Sequence, residues 1–245
     1  MERSEAAGVP APPWRKPRKP AAPRRQLSQE LIIETGLRIL DEEGLDALTM
    51  RRVAQELDTG PASLYAHVAN KEELIELIYE KVIEEVRLPE DAGAPWQDRL
   101  RALAWESRRV LTAHADIARA ALANVPTGPN SLRLAEYMFK LLIEAGLTPK
   151  AASLAMDRLS LYIAGDTFEG SLHFARQRAS GWSVEEYLRE YFGQVETYLR
   201  QLPPDRFPTI AAHVDDLLEG GDEERFDFGL DLIIAGIEAR LRPSR

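Results

Sequence analysis

The chain has 245 residues, of which 44% are hydrophobic and 29% charged, as is typical of a globular protein large enough to bury a core. It contains no cysteine and four histidines. This excludes disulfide frameworks, thiolate metal sites and cysteine nucleophiles, and it disfavours a zinc site made of protein ligands alone. We find no apolar run of about 18 residues and no apolar signal-peptide core, so we expect a soluble cytoplasmic protein without a membrane segment.

The net charge of -9 is divided unevenly along the chain. Residues 1–28 carry seven basic and two acidic side chains, a balance of +5, which leaves 24 basic and 38 acidic side chains, or -14, for the rest. Six prolines between residues 1 and 26 predict that residues 1–27 form an extended or disordered arm. A basic arm on an acidic body indicates a polyanionic partner. The cations expected to bind it are Arg15, Lys16, Arg18, Lys19, Arg24 and Arg25.

Helical periodicity follows the arm, and no stretch alternates convincingly as a strand does, so the fold class is predicted to be all-α. Capping and turn residues predict the first four helices: Ser28 to Gly44, from Thr49, from Pro61, and from Asn70 to about Arg87. Six further helices are expected over 96–113, 116–124, 129–145, 149–177, 183–201 and 223–241, with proline and glycine signals between them. The total is about nine to ten helices.

The stretch TGPASLYAHV, residues 59–68, predicts a short helix with a small, uncharged outer face. On a helical wheel, Leu64, Tyr65 and Val68 fall near Pro61, and the opposite side carries Ala62, Ser63, Ala66 and His67. Two short helices joined by a tight turn make a helix-turn-helix whose second helix can enter a major groove. An ordinary helical hairpin with an alanine-rich solvent face is the alternative.

The segment LTMRRVAQELDTGPASLYAHVANKEELIELI, residues 48–78, resembles the DNA-binding domain of the tetracycline-repressor (TetR) family. The likeness extends upstream to Ser28. It implies a three-helix DNA-binding domain over residues 28–75 and a helical ligand-binding and dimerisation domain over residues 76–245. The fourth helix would join the two.

The resemblance also implies roles for individual residues. Thr49 would contact phosphate, Arg51 would read guanine, and Arg52 would hold phosphate. Base edges would be met by Pro61, Ala62 and Ser63, and further phosphates would be held by Tyr65, His67 and Lys71. Tyr65 is also expected to pack in the core, and a solvent-exposed His67 without a contact is the alternative for that residue.

The expected DNA-binding domain is short of positive charge. Residues 29–75 contain four basic and ten acidic side chains, although phosphate neutralisation drives affinity for DNA. We therefore expect the arm to add contacts along the backbone or in a neighbouring minor groove. The alternative is a solubilising tail.

The segment from 95 to 122 resembles the tetracycline-repressor type of C-terminal domain. His114 and Glu169 match positions that help to hold drug-bound magnesium in that type. Other drug anchors are replaced by Arg87 and Leu103, so tetracycline recognition has no basis and neither a metal nor a cofactor is expected. His114 is alternatively a helix-ending residue whose charged form favours the helix dipole.

Aromatic residues of the C-terminal part are candidates for an apolar effector pocket. Most aromatics at helical spacing are simply core, and the sequence does not separate the two roles. An aromatic or polyketide-like molecule is what the resemblance implies. The candidates are Trp105, Tyr137, Phe139, Tyr162, Phe168, His173 and Phe174.

The last helix is expected to form a dimer interface. Phe226, Ile233 and Arg240 repeat every seven residues, and Gly229 and Gly236 do so on a neighbouring line, which permits close helix approach. The resemblance implies that this helix and residues 151–170 of two subunits make a four-helix interface. Two-fold symmetry then predicts a pseudo-palindromic operator.

The sequence therefore predicts a dimeric transcriptional regulator, most simply a repressor that a small molecule releases from DNA. An orphan or protein-responsive regulator without such an effector is the main alternative. Ser-His-Asp, glycine-rich phosphate-binding and paired-carboxylate signatures are missing, so we do not expect an enzyme.

Overall fold

The computed structural model describes residues 27–90, 93–114, 116–122 and 127–241. Every regular element in these ranges is a helix, so the predicted all-α class is confirmed. None of the helices in the described ranges is long and apolar enough to cross a membrane. The twelve helices of these ranges are α1 (Gln29–Glu43), α2 (Met50–Glu56), α3 (Pro61–Leu64), α4 (Lys71–Glu84), α5 (Trp96–Ala113), α6 (Ile117–Ala121), α7 (Pro129–Glu144), α8 (Pro149–Ser180), α9 (Val184–Arg200), α10 (Pro208–Ala212), α11 (Val214–Leu218) and α12 (Asp222–Leu241).

The helix count exceeds the nine to ten predicted because α10 and α11 were not expected. Both lie in the segment whose prolines predict only a break. Pro208 occupies the first position of α10, where a missing N–H costs no hydrogen bond. Each of the two helices has five residues, too few for a periodic pattern to reveal it.

Side-chain caps fix the start of the N-terminal helices as predicted. The hydroxyl of Ser28 accepts a hydrogen bond from the N–H of Leu31, and the hydroxyl of Thr49 accepts one from that of Arg52. Asn70 caps α4 in the same way. These bonds satisfy N–H groups that have no partner inside their helices, so the boundaries follow from local chemistry.

The first four helices share a buried core, and we call residues 28–75 the headpiece. Gly36 lets α1 approach α4 closely, since a Cβ there would lie 2.7 Å from Cδ1 of Ile78. Ile78, just beyond this range, completes the headpiece core, whose other members are Ile32, Ile39, Leu40, Leu48, Val53, Leu64, Val68 and Leu74, and all are essentially inaccessible to solvent.

Helix α4 continues the headpiece core into the rest of the molecule without interruption. Val82, Ile83 and Val86 are buried in the same continuous cluster as the headpiece residues and as Leu100 and Leu103 of α5. We call residues 76–241 the effector domain. Its position relative to the headpiece is set by this packing and by polar contacts such as that of Arg119 with Asp46 at 2.9 Å.

In the effector domain, α12 packs against α5 and α8 around Phe226. This ring is fully buried, meets Trp105 edge-on at 4.8 Å between centroids and stacks on Tyr162 at 5.3 Å. The assignment of Phe226 to a dimer interface is therefore wrong. Gly229 is also corrected, because a Cβ there would lie 2.4 Å from the hydroxyl of Tyr162, so this glycine makes room for its own chain.

We predict that Gly229→Ala destabilises the protein by about 1–3 kcal/mol, because the added methyl group displaces Tyr162 from the packed core. The measurement is urea unfolding at fixed protein concentration. Gly193→Ala, inside α9, is the matched control, since no atom of the described residues lies within 4 Å of its added Cβ. Equal free energies of unfolding for the two variants would contradict this account of Gly229.

Candidate functional site

The turn between α2 and α3 is a Schellman motif with an aspartate in place of the usual glycine. The N–H of Thr59 donates to the carbonyl of Ala54 at 2.9 Å, and that of Asp58 donates to Gln55 at 3.2 Å. Asp58 adopts φ +48, which aspartate tolerates better than most residues. Gly60 and Pro61 then start α3 directly, so the helix-turn-helix expected from the sequence is formed by local backbone bonds.

Helix α3 is one turn long and ends at Leu64. The wheel used to predict its faces therefore does not apply beyond that residue, and the expectation that Tyr65 packs in the core is wrong. Tyr65 is 52% exposed, while Leu64 and Val68 are buried as predicted. Pro61, placed on the core side by the wheel, is also exposed.

The residues expected to contact DNA are accessible on this part of the headpiece. Thr49, Arg51, Pro61, Ala62, Ser63 and Tyr65 are exposed, and His67 and Lys71 are half-buried. Ser63 lines a shallow polar depression with Gln55, Asp58, Thr59 and Gly60. The Thr49 hydroxyl accepts the cap bond and retains its proton for donation to a phosphate.

Two of the four headpiece cations are occupied by carboxylates. Arg52 contacts Glu43 at 2.6 Å and Glu56 at 2.7 Å, and Arg38 contacts Glu56 at 2.7 Å. Hydrogen bonds from Arg52 and Arg38 lower the pKa of Glu56, so the carboxylate stays ionised. This arrangement speaks against the predicted phosphate contact of Arg52, because its guanidinium holds α2 against the end of α1.

Arg51 and Lys71 have no hydrogen bond or ion pair among the residues that the structure describes. Arg51 is exposed beside Thr49 at the start of α2, and its donors are available for a base edge. The expected arm contacts through Arg15, Lys16, Arg18, Lys19, Arg24 and Arg25 lie outside the described residues.

The aromatic candidates for an effector pocket fall into separate groups, since Trp105 and Tyr162 pack on Phe226 in one cluster and Tyr137 lies elsewhere. Trp105 donates its indole N–H to Asp227 at 2.8 Å, and Tyr162 donates its hydroxyl to the carbonyl of Phe226 at 2.7 Å. Both polar groups hold α12 in place. Tyr137 lies on α7, where its hydroxyl donates to the carbonyl of Pro89 at 2.9 Å. In this conformation, these three side chains make contacts that hold the helices together.

A buried ion pair lies beside this aromatic cluster. Arg108 donates to Asp166 at 2.7 Å, both side chains are less than one-fifth exposed, and the guanidinium lies over the ring of Phe226 at 4.8 Å. Burial raises the pKa of Asp166, and the bond from Arg108 opposes that rise. The pair joins α5 to α8, and Arg108 also reaches Asp222 at the start of α12.

His114 ends α5 and faces the headpiece, which favours the helix-ending alternative over a drug or metal ligand. Its Nδ1 lies 3.1 Å from the carboxylate of Asp41, and its Nε2 lies 3.3 Å from Glu85 without forming a hydrogen bond. Burial raises the pKa of Asp41. Glu169 is exposed and pairs with Arg225 instead. Among the described residues, no group of three acidic, histidine or cysteine side chains is placed to hold a metal.

His173 lies in a second aromatic cluster between α8 and α9. Its ring is 5.2 Å from that of Tyr191, and its Nδ1 is 3.5 Å from the hydroxyl of Tyr187. It lines a groove of about 380 Å³ together with Gly170, Phe174, Gln177, Val184, Tyr187, Leu188, Phe192, Gly220, Gly221, Asp222 and Arg225. Phe168 and Phe139 are half-buried outside this groove.

An exposed apolar face runs along α8 and α12. Leu154 is 58% exposed and Leu232 is 61% exposed, and between them lies a groove of about 420 Å³ to which Ile233, Gly236 and Arg240 contribute. The outward line on α12 is Phe228, Leu232 and Gly236, spaced by four residues. Phe226 and Gly229, which the sequence pattern assigned to an interface, lie on the inward side of α12 instead.

Sequence reasoning missed the polar residues that join helices. Arg108, Asp166 and Asp227 were not singled out, nor were Glu80 and Arg133, which link α4 to α7. Charged residues on helices are usually solvated, so the sequence contained no signal that distinguished these residues. Pro129, directly after Gly128, was the only local sign that a helix starts there. Because Gly128 has no side chain, the first N–H groups of that helix need a cap from elsewhere in the chain.

Comparison with known proteins decides the family. Residues 32–78 match the model for bacterial regulatory proteins of the tetR family, and residues 88–241 match the tetracyclin repressor-like C-terminal domain. This chain belongs to the TetR family. The predicted function class, ligand-responsive DNA-binding transcriptional regulation, is confirmed by this membership.

Similar TetR-family proteins cover almost the whole chain. An HTH-type transcriptional regulator of Saccharopolyspora erythraea is 30% identical over 96% of this chain and 95% of its own. The HTH-type transcriptional repressor DrrR1 of Streptomyces coeruleorubidus is 30% identical over 95% of this chain and 85% of its own. ActR of Streptomyces coelicolor, solved without ligand, is 38% identical with a TM-score of 0.77, and the match covers 89% of this chain and 99% of ActR. ActR bound to actinorhodin has the same identity and TM-score, and the match covers 87% of this chain and 96% of ActR.

We predict that Arg51→Ala reduces the preference for operator over scrambled DNA by about 1–3 kcal/mol, because it removes the unpaired guanidinium expected to read a base. Fluorescence anisotropy with both duplexes at one salt concentration measures this preference. Arg52→Ala is the matched control: it breaks the bonds to Glu43 and Glu56, and it should lower the melting temperature while leaving the preference intact. If Arg51→Ala retains full preference, the assignment of Arg51 is wrong.

Proposed function

We propose that this protein is a homodimeric repressor that binds a pseudo-palindromic operator and leaves it when an aromatic small molecule occupies the effector domain. The observation that carries the proposal is the headpiece surface. A one-turn helix presents small, uncharged residues beside Arg51, which has no ion pair within the described part of the chain, at the position where TetR-family proteins bind DNA.

The roles at the DNA follow from accessibility and charge. Arg51 reads a base edge, while Pro61, Ala62 and Ser63 allow the backbone of α3 to come close to the bases. Thr49, Tyr65, His67 and Lys71 hold phosphates around it. Because Arg38 and Arg52 are neutralised within the headpiece, the basic arm supplies the missing backbone contacts.

The exposed face of α8 and α12 is the surface at which we propose that two copies meet. Large apolar side chains such as Phe228 and Leu232 are rarely left exposed in a continuous face, and Gly236 permits close approach of a second helix. A two-fold axis through this face would place two headpieces for successive major grooves of one operator.

The groove at His173 is our candidate for the effector site. Its volume of about 380 Å³ suits a drug-sized molecule, and it combines aromatic walls with Gln177, Asp222 and Arg225 as hydrogen-bonding groups. ActR of Streptomyces coelicolor has been solved with actinorhodin, which makes a flat aromatic polyketide the first class to test. The effector acts by binding the DNA-free conformation more tightly than the DNA-bound one.

The test is titration of the protein onto its own promoter DNA, located by footprinting, followed by release with added ligands. We expect a protected site with two related half-sites and a Kd of about 10 nM or tighter at physiological salt. Actinorhodin and related aromatic molecules should lower operator affinity. A chain lacking residues 1–25 should show a shallower salt dependence.

Two outcomes would redirect the proposal. Equal affinity for promoter and scrambled DNA would overturn operator recognition and leave room for another activity, including an enzymatic one. Specific binding that no small molecule weakens, with no ligand raising the melting temperature, would instead favour an orphan or protein-responsive regulator.

We predict that Leu232→Glu produces a monomer with at least about tenfold weaker operator binding, since it places a charge in the proposed apolar interface. Analytical ultracentrifugation gives the mass, and Leu217→Glu is the control, because Leu217 is also exposed but lies on α11. Dimeric Leu232→Glu with unchanged affinity would place the interface elsewhere.

A further inference from the structure

One face of α7 makes polar contacts along the whole second half of α4. The residues concerned are Asn130, Arg133 and Tyr137, spaced as i, i+3 and i+7, so they lie on the same side of the helix. Their partners run from Glu80 to Pro89 on and just after α4. The two helices are therefore joined by directed hydrogen bonds as well as by apolar packing.

Glu80 caps the start of α7. Its carboxylate accepts hydrogen bonds from the N–H groups of Asn130 at 2.8 Å and Ser131 at 3.1 Å, and the Asn130 amide donates back to the Glu80 carbonyl at 3.1 Å. These N–H groups have no partner within α7, and the N-cap residue, Gly128, has no side chain to supply one. A carboxylate is favoured here by the helix dipole as well.

Gly128 leaves the space that Glu80 occupies. A Cβ at this position would lie 2.1–2.4 Å from three side-chain atoms of Glu80. The backbone of Gly128 has φ -85 and ψ 162, a conformation that alanine also adopts. The glycine is therefore required by the contact with α4 and not by the backbone.

Arg133 caps the other helix in return. Its Nη2 donates to the carbonyls of Ile83 at 3.2 Å and Val86 at 3.0 Å, in the last turn of α4 and just beyond it. Tyr137 extends the contact to the carbonyl of Pro89. Each helix thus supplies a charged side chain to the end of the other, and neither can shift along its axis without losing a charge-assisted bond.

We propose that this reciprocal cap, formed by Glu80, Asn130, Ser131 and Arg133, makes α4 and α7 move together and so couples the headpiece to the effector domain. The proposal rests on the proposed function, since it names the contact through which DNA binding and effector binding influence one another. Coupling between two sites is reciprocal, so DNA bound at the headpiece must also change the first turn of α7.

The test is hydrogen exchange of the full chain with and without a duplex containing its footprinted operator. In the natural protein, the duplex should slow or speed exchange at the amides of Asn130 and Ser131. In Gly128→Ala, where the Cβ displaces the Glu80 carboxylate, these amides should exchange at least about tenfold faster without DNA and should no longer respond to it.

Two further variants support the reading of this result. Gly193→Ala on α9 is the matched control, because its added Cβ meets no atom of the described ranges within 4 Å, and it should behave as the natural protein does. Glu80→Ala removes the same cap without adding bulk and replaces Gly128→Ala if that variant does not fold. Both capless variants should also weaken the effect of DNA on the last turn of α4.

The failure of this proposal is distinguishable from failure of the proposed function. If the operator binds and protects the headpiece but the first turn of α7 does not respond, the coupling role is overturned and operator recognition stands. If no DNA binds specifically, the proposed function fails, and the cap is judged on the free proteins. If the capless variants then exchange faster than the natural protein both in α7 and at the end of α4, the joint movement of the two helices is supported. If only α7 changes, it is overturned.

Discussion

Helix α4 runs through one hydrophobic core that the headpiece and the effector domain share, and the rest of the structure depends on that constraint. Leu74 and Ile78 are buried on the headpiece side of this core, whereas Val82, Ile83 and Val86 are buried on the side of α5. All but Val86 lie in the fourteen-residue helix α4, so neither end can move without disturbing the other. A ligand that repacks the effector domain therefore has a direct mechanical route to the DNA-binding surface.

Two of the four basic side chains of the headpiece are engaged in ion pairs within it. Arg38 and Arg52 are engaged by Glu42, Glu43 and Glu56, and the remaining positive side chains are few. Few basic side chains of the headpiece are left to contact phosphate, which is the reason we propose that the basic arm contacts DNA.

Local rules predicted the elements of the fold from the sequence. Ser28, Thr49 and Asn70 cap their helices because a side-chain oxygen next to free N–H groups needs no tertiary information. The exceptions are also local. Tyr65 was misplaced because α3 ends after one turn, and α10 and α11 were missed because five residues show no period.

The contacts between helices were beyond sequence reasoning. Phe226 and Gly229 share the spacing of a dimer seam, but the rotation of α12 turns both towards Trp105 and Tyr162. The Glu80 and Arg133 caps join residues about fifty positions apart, and the residues next to them in the sequence do not indicate these contacts. The helix-turn-helix could be predicted because its residues adjoin in sequence, whereas the effector domain is assembled from distant helices.

The most direct test of the shared helix is whether the headpiece and the effector domain unfold together. Trp14, within residues 1–27, is replaced by phenylalanine so that Trp96, Trp105 and Trp182 report on the effector domain. The chain has no cysteine, so a fluorophore on Glu34→Cys, an exposed position of α1, reports on the headpiece. Helix α4 within one shared core predicts coincident urea transitions from the two probes. A headpiece that unfolds at distinctly lower urea, with the tryptophan signal unchanged, would contradict it.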